Sequence, residues 1–541
     1  MRKYVRFLDG LRKFARARLE PGEAIQLART LLKQRCAERE SNFLRLAERG
    51  IFHYDRSPYL PLLASRKVGF ADLRGWVERD GVEGALRRLE AEGVYFTVAE
   101  FKGVQPVERN GVRMQCREAM FDNPFLHCAY EVRSGATRSA GTRVRIDFEY
   151  LHQRSLYDAF LLDLHGCLTA PVANWFPIFP GAPGINSSLR FAHIGNPVRR
   201  WFSQVSEDQV RVDWEKRLGV GAIFAIHRAC GNPLAEPEFT ALEDAGRVAR
   251  WAAQARQECG RCVVYTFAAS AVRVCHAAAD LNLDLTGTRF LVTGEPLTRH
   301  KEREIAAAGA AAVPVYGISE AGVIAAGCGQ AHRNADHCHL YKDAVAVIPH
   351  REVAPNFGVE LDEYLFTTLL FESPKLLLNV GMGDYGELAA DNCPCPFTGI
   401  GFDVTLGDIR SYEKLTGEGV TFVDTDLVRI LEHDLPRAFG GRSGDYQLME
   451  AEDDDGLTRL QLLISPRLGA MDEAAVVEAF LSLLRRGRDT PESWAESGVL
   501  MWRQSGMVRV TRRDPAPTRS GKIFPFYSAR ARPETRTAAC V

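Results

Sequence analysis

The stretch 289–322, RFLVTGEPLTRHKEREIAAAGAAAVPVYGISEAG, contains the pattern that decides the fold of this chain. Residues 289–293 are β-branched and aromatic and predict a strand, which ends at Gly294-Glu295-Pro296-Leu297-Thr298. A helix-like stretch follows, and a second predicted strand ends at Tyr316-Gly317-Ile318-Ser319-Glu320-Ala321-Gly322. Both loops follow the carboxyl ends of strands, which is where open α/β sheets bind ligands.

Strand-like and helix-like runs alternate on both sides of this stretch. Apolar residues three and four apart predict helices between residues 20 and 100. Short strand-like runs then begin, among them VYFTV at 94–98, VRIDFEYL at 144–151 and VVYTF at 263–267. Alternation of this kind indicates an α/β fold with a largely parallel sheet.

The pattern restarts on a smaller scale after about residue 405. RLQLLISPRL at 459–468 predicts a strand, DEAAVVEAFLSLLRRG at 472–487 a helix, and VLMWRQSGMVRVTRR at 499–513 another strand. We therefore predict an α/β chain of two domains. The large N-terminal domain, residues 1–407, has mixed or parallel sheets flanked by helices and a helical lead-in at 1–90. The C-terminal domain, residues 408–541, is a small α+β lid.

Composition and charge narrow the class of protein. The 541 residues include 68 Lys plus Arg and 69 Asp plus Glu, and this balance gives no sign of a nucleic-acid binder. No apolar run approaches the roughly 20 residues that a membrane-spanning helix needs. The 13 cysteines lack the density of a disulfide-stapled domain, and no secretory signal is recognisable, so a cytoplasmic location is expected.

The N-terminal residues predict a helix of mixed character. Basic residues are interspersed with apolar residues near helical spacing, namely Tyr4, Val5, Leu8, Leu11, Phe14 and Leu19. A packed surface helix is the first interpretation. A membrane-surface role is the alternative, and the acidic residues that soon follow disfavour it.

A glycine- and hydroxyl-rich loop lies at 133–143, RSGATRSAGTR, between two strand-like runs. Small residues let backbone amides approach an anion, hydroxyls donate to phosphate oxygens, and the arginines add positive charge. The Walker pattern GxxxxGK[ST] is absent, and a polar turn is the alternative interpretation. The candidate nucleotide-binding residues of this loop are Ser134, Gly135, Thr137, Ser139, Gly141 and Thr142.

Three further motifs follow in order. They are GDYGEL at 383–388, DIRS at 408–411 and PTRSGK at 517–522. Together with the loop at 133–143 and the two loops of 289–322, these motifs resemble the adenylate-forming superfamily of acyl-CoA synthetases, luciferases and peptide-synthetase adenylation domains. The resemblance spans about residues 90–525. It is nearest to the phenylacetate-CoA ligase-like and acyl-protein synthetase-like branch.

The resemblance implies roles for individual residues. Tyr316 would offer a flat face to the purine, Glu320 would hold Mg²⁺, and Asp384 would accept from the ribose hydroxyls. Lys522 would neutralise charge at the α-phosphate during adenylation. Arg410 would contact the ribose in the hinge. The family's usual hinge Asp and following Lys are replaced by other residues here, and the nearest candidates are Glu413 and Lys414. The remaining candidates for nucleotide binding are Gly294, Glu295, Pro296, Gly317 and Ser319.

The loop at 133–143 departs from the family pattern. It reads Ser-Ala-Gly-Thr-Arg where Thr-Gly-x-Pro-Lys is commoner, so the basic residue differs in type. We expect this difference to affect ATP affinity.

A structural Zn²⁺ site is implied by the same branch, some of whose members bind zinc through a cysteine, a histidine and a Cys-x-Cys. Carried over, the ligands are Cys328, His339, Cys393 and Cys395. Four N/S ligands with no open position make a zinc ion structural rather than catalytic. His332, His337 or Cys338 are alternatives to His339, and buried cysteines without a metal are the alternative to the site.

The acid pocket of this fold would be formed by residues 219–231, 263–270 and 321–327, which are apolar and rich in small residues. Their larger members are Phe224, His227, Tyr265 and Phe267. No basic residue is obviously placed for a second carboxylate and no acidic one for an α-amino group, so an aromatic or medium-to-long fatty acid is expected rather than an amino acid.

The predicted reaction uses ATP and Mg²⁺ to form acyl-AMP and then transfers the acyl group to a thiol, with CoA as the expected co-substrate. The alternatives are an acyl-accepting protein, an amine, or a non-catalytic relative that binds a nucleotide or acyl group. Cys540, one residue from the end of the sequence, is a further candidate acyl carrier. The expected partners are a small carboxylic acid and CoA or an acyl-accepting protein, with a homodimer as an open possibility and no nucleic acid.

Overall fold

A computed structural model describes residues 2–127, 129–133, 142–179, 183–206, 208–210, 212, 214–353, 360–411, 416–417, 420–421, 424–486, 492–516 and 525–528. The α-helices of this part are α1 (Arg2–Arg16), α2 (Pro21–Ala37), α3 (Arg39–Ala47), α4 (Leu60–Ser65), α5 (Phe70–Ala91), α6 (Val98–Phe101), α7 (Phe148–Leu164), α8 (Pro183–His193), α9 (Trp214–Ala229), α10 (Ala245–Cys259), α11 (Ala268–Asp280), α12 (Arg299–Ala307), α13 (Pro396–Ile400), α14 (Asp424–Arg429), α15 (Leu435–Phe439), α16 (Glu473–Arg485) and α17 (Glu492–Ser505).

The strands are β1 (Val107–Arg109), β2 (Val112–Met114), β3 (Tyr130–Arg133), β4 (Arg143–Ile146), β5 (Val172–Trp175), β6 (Arg200–Ser203), β7 (Pro237–Phe239), β8 (Cys262–Phe267), β9 (Thr288–Thr293), β10 (Ala311–Ile318), β11 (Gly322–Ala326), β12 (Cys338–Leu340), β13 (Val345–Val353), β14 (Glu360–Thr368), β15 (Val380–Ala390), β16 (Val404–Ser411), β17 (Thr416–Gly417), β18 (Val420–Thr421), β19 (Tyr446–Glu452), β20 (Thr458–Ile464), β21 (Val508–Arg512) and β22 (Phe526–Ser528).

One mixed sheet of 12 strands organises the larger part of the molecule, in the order β13-β14-β15-β16-β12-β11-β10-β9-β8-β5-β6-β7. The half from β7 to β10 is parallel and the half from β10 to β13 is antiparallel, so β10 joins the two. Every residue of β8 is buried, as expected for a parallel strand that is covered on both faces.

A separate four-stranded sheet, β21-β20-β19-β22, forms the smaller C-terminal part together with α16 and α17. The predicted fold class, a large α/β part with a mixed sheet and a small α+β part, is confirmed. Among the helices that the structure describes, none has both the length and the apolarity that crossing a bilayer requires.

Three local predictions are wrong. Residues 94–98 form no strand, because Thr97 caps α6 with its hydroxyl and Phe96 makes only an isolated bridge to Val380. The strand-like run 144–151 forms a strand only up to Ile146, because the side chain of Asp147 caps α7 and residues 148–151 are its first turn. Residues 499–505 belong to α17 rather than to a strand, and only residues 508–512 pair in the sheet as β21. Short apolar runs have no strong intrinsic preference between helix and strand, so the local pattern does not decide these cases.

Candidate active site and metal centre

The predicted purine-binding and ribose-binding residues lie side by side. The Tyr316 hydroxyl on β10 donates to Asp384 Oδ2 on β15 at 2.8 Å. Burial and the neighbouring Asp384 carboxylate hold the pKa of Tyr316 well above its ordinary value, so the hydroxyl stays a donor. The two motifs, which are far apart in sequence, therefore form one wall of a common site.

A buried glutamate positions the Asp384 loop. Glu363 on β14 is fully buried, and its Oε1 accepts from the Gly383 backbone N–H at 2.8 Å. A Cβ at Gly381 would come within 2.5 Å of the same oxygen, so only glycine lets the carboxylate approach the strand. Gly383 itself has φ +79°, a conformation that favours glycine. Sequence reasoning did not identify Glu363.

A lysine links Glu320, the predicted Mg²⁺ ligand, to the end of the glycine-rich loop. Lys102 Nζ lies 3.7 Å from Glu320 Oε1 and also donates to the Thr142 hydroxyl. Thr142 and Glu320 are buried, and the side chain of Lys102 is only 4% exposed. Lys102 therefore places a cation between the loop at 133–143 and the Tyr316–Glu320 segment. It was not predicted from the sequence, because it follows the short helix α6 and belongs to none of the motifs.

A second buried lysine fixes the strand that carries the loop. Lys375 Nζ is fully buried and binds Asp122 Oδ1 at 2.7 Å and the Glu118 carbonyl at 2.9 Å. Arg143, the first residue of β4, also pairs with Asp122, and its backbone N–H donates to Glu118 Oε1 at 3.0 Å. This network holds the end of the loop at a defined place beside Thr142.

The predicted hinge is anchored by Asp336, another residue that the sequence motifs did not include. Its carboxylate accepts from the backbone N–H groups of Asp408 and Ile409, both at 2.9 Å. Arg410 donates to Asp336 at 3.1 Å and pairs with Asp408 at 2.6 Å. Residues 408–411 lie in β16, where Ser411 pairs with Asp384 in the sheet. Arg410 thus lies close to the ribose-binding motif, with its described contacts directed to Asp336 and Asp408.

Glu295 lies in a different environment from the one expected of a nucleotide ligand. Its side chain is fully buried, 3.5 Å from Lys301 Nζ, and accepts from the Ala269 backbone N–H at 2.5 Å at the start of α11. Lys301 also donates to Thr458 of the C-terminal sheet at 3.1 Å. The loop after β9, which includes Gly294 and Pro296, therefore connects the two sheets.

The four predicted pocket residues fall into two groups. Tyr265 and Phe267 of β8 both pack edge-on against Phe176, at 5.0 Å between ring centroids. Phe224 and His227 lie on α9 in a second apolar cluster that includes α1. Burial lowers the pKa of His227, which is therefore a neutral imidazole. A common pocket for all four is not described.

A small cavity beside Tyr265 contains charged groups that the sequence reasoning missed. Arg154 and Arg190 line it together with Asp158 and Tyr341. Arg190 pairs with Asp158 at 2.5 Å, so its charge is already neutralised. These two arginines lie on α7 and α8, outside the segments from which the acid pocket was predicted.

Four predicted metal ligands converge. One donor atom from each of Cys328, His339, Cys393 and Cys395 lies within 4.8 Å of the others, and all four residues are buried. The Cys328 and Cys393 sulfurs are 3.8 Å apart, and Cys395 Sγ is 3.4 Å from His339 Nε2. Sulfurs at about 2.3 Å from a tetrahedral zinc ion would be about 3.8 Å apart, so the donor set fits this ion. A disulfide would need about 2.05 Å.

The surroundings of the cluster also suit a cation. His339 Nδ1 lies 2.8 Å from the Phe402 carbonyl, which leaves Nε2 to face the sulfurs. Burial raises the pKa of the Cys328 and Cys393 thiols and so favours their protonated form. A bound cation would favour the thiolate form instead. His332 Nε2 is 3.3 Å from Cys328 Sγ and is a fifth possible donor. The imidazole rings of His332 and His337 are stacked, with 3.5 Å between their centroids.

Some predicted site residues lie outside the described residues. These are Lys522 with its loop, the candidate hinge residues Glu413 and Lys414, the candidate acyl carrier Cys540, and the loop residues Ser134, Gly135, Thr137, Ser139 and Gly141. Gly317 and Ser319 are described: Gly317 is the second-last residue of β10, and Ser319 begins the turn that carries Glu320. A Cβ at Gly317 would meet the Gly322 carbonyl oxygen at 2.8 Å, which explains the glycine at this position.

Comparison with known proteins gives matches in structure. No protein-family model matches the chain, and no curated protein matches it in sequence. A 2-hydroxyisobutyryl-CoA ligase, solved with 2-HIB-AMP and CoA, has 13% identity and a TM-score of 0.48, with 94% of this chain and 90% of that chain covered.

Two other solved structures are an amide bond synthetase from Marinactinospora thermotolerans and an o-succinylbenzoate-CoA synthetase from Bacillus subtilis. The first has 14% identity, a TM-score of 0.38 and coverage of 83% and 77% of the two chains. The second has 11% identity, a TM-score of 0.39 and coverage of 74% and 68%.

Proposed function

We propose that this protein is an adenylate-forming ligase that activates a carboxylic acid as acyl-AMP and transfers the acyl group to a thiol, with CoA as the acceptor. The observation that carries the proposal is the convergence of separate motifs. Thr142, Glu320 and Lys102 meet in one buried cluster, and Tyr316 on the same strand–turn segment as Glu320 contacts Asp384.

The nucleotide is proposed to lie across the end of β10. Asp384 accepts from the ribose hydroxyls, and Tyr316 is fixed beside the base by its hydrogen bond to Asp384. Thr142 and the preceding loop contact the phosphates, and Lys102 supplies there the positive charge that the lysine of the commoner loop pattern would provide. Glu320 is the residue to hold Mg²⁺, which when bound would neutralise phosphate charge.

The first half-reaction joins a carboxylate oxygen to the α-phosphorus and releases pyrophosphate. Lys522, assigned from the motif alone, stabilises the charge that develops there. In the second half-reaction the thiolate attacks the acyl carbon, and AMP leaves with the bonding electrons. Movement of the C-terminal domain, 408–541, about the 408–411 strand would move Lys522 out of the active site and admit the acceptor thiol. Asp336 fixes the backbone on the large-domain side of this hinge.

The zinc site is proposed to be structural. Its donors come from the ends of β11 and β15 and from β12, and the segment between β11 and β12 also carries Asp336. A bound ion would therefore hold the segment that supports the hinge without touching the reacting atoms. The fit of Cys328, His339, Cys393 and Cys395 to a tetrahedral set supports this assignment.

Metal analysis tests the zinc proposal. Protein purified without chelator should contain about one zinc per chain. Cys393→Ser with Cys395→Ser should remove it and lower the unfolding free energy more than it slows adenylation. Cys259→Ser, at an exposed free cysteine, is the matched control. Absence of zinc from the unmodified protein would refute the assignment.

The substrate class is proposed from the pocket-forming segments. Tyr265, Phe267 and Phe176 form an aromatic cluster at β8, and this favours an aromatic or fatty acid over an amino acid. An amide-forming or acyl-protein ligase would use the same acyl-AMP and differ only in the acceptor.

A pyrophosphate-release screen tests function and acceptor together. Aryl and fatty acids are compared with and without CoA, and products are identified by mass spectrometry. An acyl-CoA product confirms the proposal. Acid-dependent pyrophosphate release without an acyl-CoA product would support the proposed adenylation step and refute CoA as the acceptor. Lys522→Ala should abolish adenylation and largely spare acyl transfer from supplied acyl-AMP, whereas equal loss of both would contradict the domain movement.

A further inference from the structure

The N-terminal helix α1 has one apolar face, and only its second half is packed. Leu11, Phe14 and Ala15 are buried in the protein. In the first two turns Tyr4 and Val5 are 53% and 61% exposed, and Leu8, one turn further along, is 41% exposed. The prediction of a packed surface helix therefore holds for the second half of α1 and leaves the exposed apolar residues of the first half without an explanation.

Helix α9 extends the same exposed apolar surface. Trp214 and Leu218, one turn apart at its start, are 68% and 64% exposed, the two highest values among the large apolar residues of the described chain. The two helices pack against each other. Glu215 accepts a hydrogen bond from the Tyr4 hydroxyl and thereby raises the pKa of Tyr4, which places the starts of the two helices side by side.

Tyr4 interacts with Glu215 near the starts of both helices, and Leu11 and Phe14 of α1 belong to the same apolar cluster as Ile223 of α9. The exposed apolar side chains are thus gathered near the starts of both helices. We call this surface, formed by Tyr4, Val5, Leu8, Trp214 and Leu218, the N-terminal apolar surface.

The charge around this surface is mainly positive. Arg6, Arg12 and Arg16 are exposed on α1. Asp9 is the acidic residue of that helix, and it is paired with Lys13 at 2.7 Å. On α9, Glu215 is followed by Lys216 and Arg217, which are also exposed. A net charge of −1 for the whole chain makes this basic region a local feature rather than a general property.

We propose that the N-terminal apolar surface docks onto an anionic phospholipid bilayer. Two helices that expose aromatic and aliphatic side chains within a basic surround match what an interfacial helix presents to lipid. Tryptophan and tyrosine prefer the headgroup level, because their rings are amphipathic. Arginines attract anionic headgroups over the same area. An anionic bilayer presents negatively charged headgroups and an apolar interior over the same area. A protein partner would need a surface that is both acidic and apolar.

Vesicle sedimentation tests the proposal with the full chain. The protein should sediment with phosphatidylcholine vesicles that contain phosphatidylserine, bind more weakly to phosphatidylcholine alone, and dissociate when salt is raised. Trp214→Ser with Leu218→Ser should weaken binding about tenfold or more. Val104→Ser with Val353→Ser changes side chains of similar exposure, 51% and 52%, and should have no effect.

Two further variants separate the contributions. Arg6→Glu with Arg12→Glu should abolish the preference for phosphatidylserine while leaving the unfolding transition unchanged, because both residues are exposed. Quenching of Trp214 fluorescence by brominated lipid should disappear in Trp214→Phe. Failure to bind either vesicle would overturn the proposal, and so would equal loss of binding in the control. Concentration-dependent dimerisation that Trp214→Ser abolishes, without vesicle binding, would assign the surface to a protein contact instead.

Discussion

Replacing Lys102 with methionine removes a buried cation from beside a buried carboxylate. Lys102 Nζ and Glu320 Oε1 are 3.7 Å apart, and their side chains are 4% and 7% exposed. At an effective dielectric constant of about 20, this separation corresponds to an attraction of about 4.5 kcal/mol. Desolvation offsets part of this attraction in the intact pair. Removal of one partner from a buried ion pair costs about 3–5 kcal/mol.

The expected result for Lys102→Met is an unfolding free energy lowered by about 3 kcal/mol or more. Adding Glu320→Gln also removes the buried negative charge of the pair, so the double variant should be less destabilised than the sum of the single variants, with a coupling of about 2 kcal/mol. Lys13→Met, in the exposed pair with Asp9, is the matched control, and its cost should stay under about 0.5 kcal/mol.

Denaturant unfolding at neutral pH measures these values, and ATP titration of pyrophosphate release gives KM and kcat for each variant that remains folded. Lys102→Met should raise KM for ATP, because the cation also binds the Thr142 hydroxyl at the end of the phosphate loop. A single-variant cost no larger than that of the Lys13 control would refute the reasoning. Strict additivity in the double variant would refute it as well.

Three other predictions concern separate parts of the structure. Tyr316→Phe removes the donor to Asp384 and should cost about 1 kcal/mol in ATP binding, seen as a higher KM; an unchanged KM would contradict the contact. Burial lowers the pKa of His350, but hydrogen bonds to Glu352 and Glu90 outweigh it and raise the pKa above the ordinary 6.5. His350 therefore stabilises the fold below that ordinary value, and its contribution is lost as pH rises through the raised pKa, so His350→Gln should cost more at about pH 6 than at about pH 9 in denaturant unfolding. Chelation of zinc should lower the thermal midpoint before activity falls, and a midpoint unaffected by chelators would contradict a structural ion.

The α/β fold and the loops at β9 and β10 were predictable because their signals are local. In β10 a β-branched run ends in glycine, hydroxyl and acidic residues, and the structure places Tyr316 and Glu320 at the end of that strand. The pairing of Tyr316 with Asp384 depends on β15, and no local pattern predicts it. Tyr316 and Asp384 were predicted to share one site only because their motifs occur along the chain in the order of the family's motifs.

Residues that act through long-range packing were missed. Lys102, Glu363 and Asp336 lie outside the motifs, yet each binds a motif residue directly. Burial of a charged side chain is a property of the folded state, and a lone lysine in a sequence gives no sign of it. The departure of the phosphate loop from the commoner lysine pattern pointed to a basic residue of another type, Arg143, and gave no sign of Lys102.

Helix α1 illustrates a different limit of the sequence. Its spacing correctly predicted a helix, but periodicity alone does not say which turns of the apolar face are packed. The structure buries Leu11 and Phe14 and exposes Tyr4 and Val5. Likewise, residues 499–505 were predicted to form a strand but belong to α17, because a short apolar run is compatible with both helix and strand.

Acid-dependent exchange of labelled pyrophosphate into ATP tests the central claim most directly, since it requires nucleotide, metal and acid to meet in one site. The account predicts exchange with at least one aromatic or fatty acid, dependent on Mg²⁺ and strongly reduced in Glu320→Gln and Asp384→Ala. Absence of exchange across the acid panel, in protein that is folded and contains its metal, would contradict the assignment of these residues to one adenylating site.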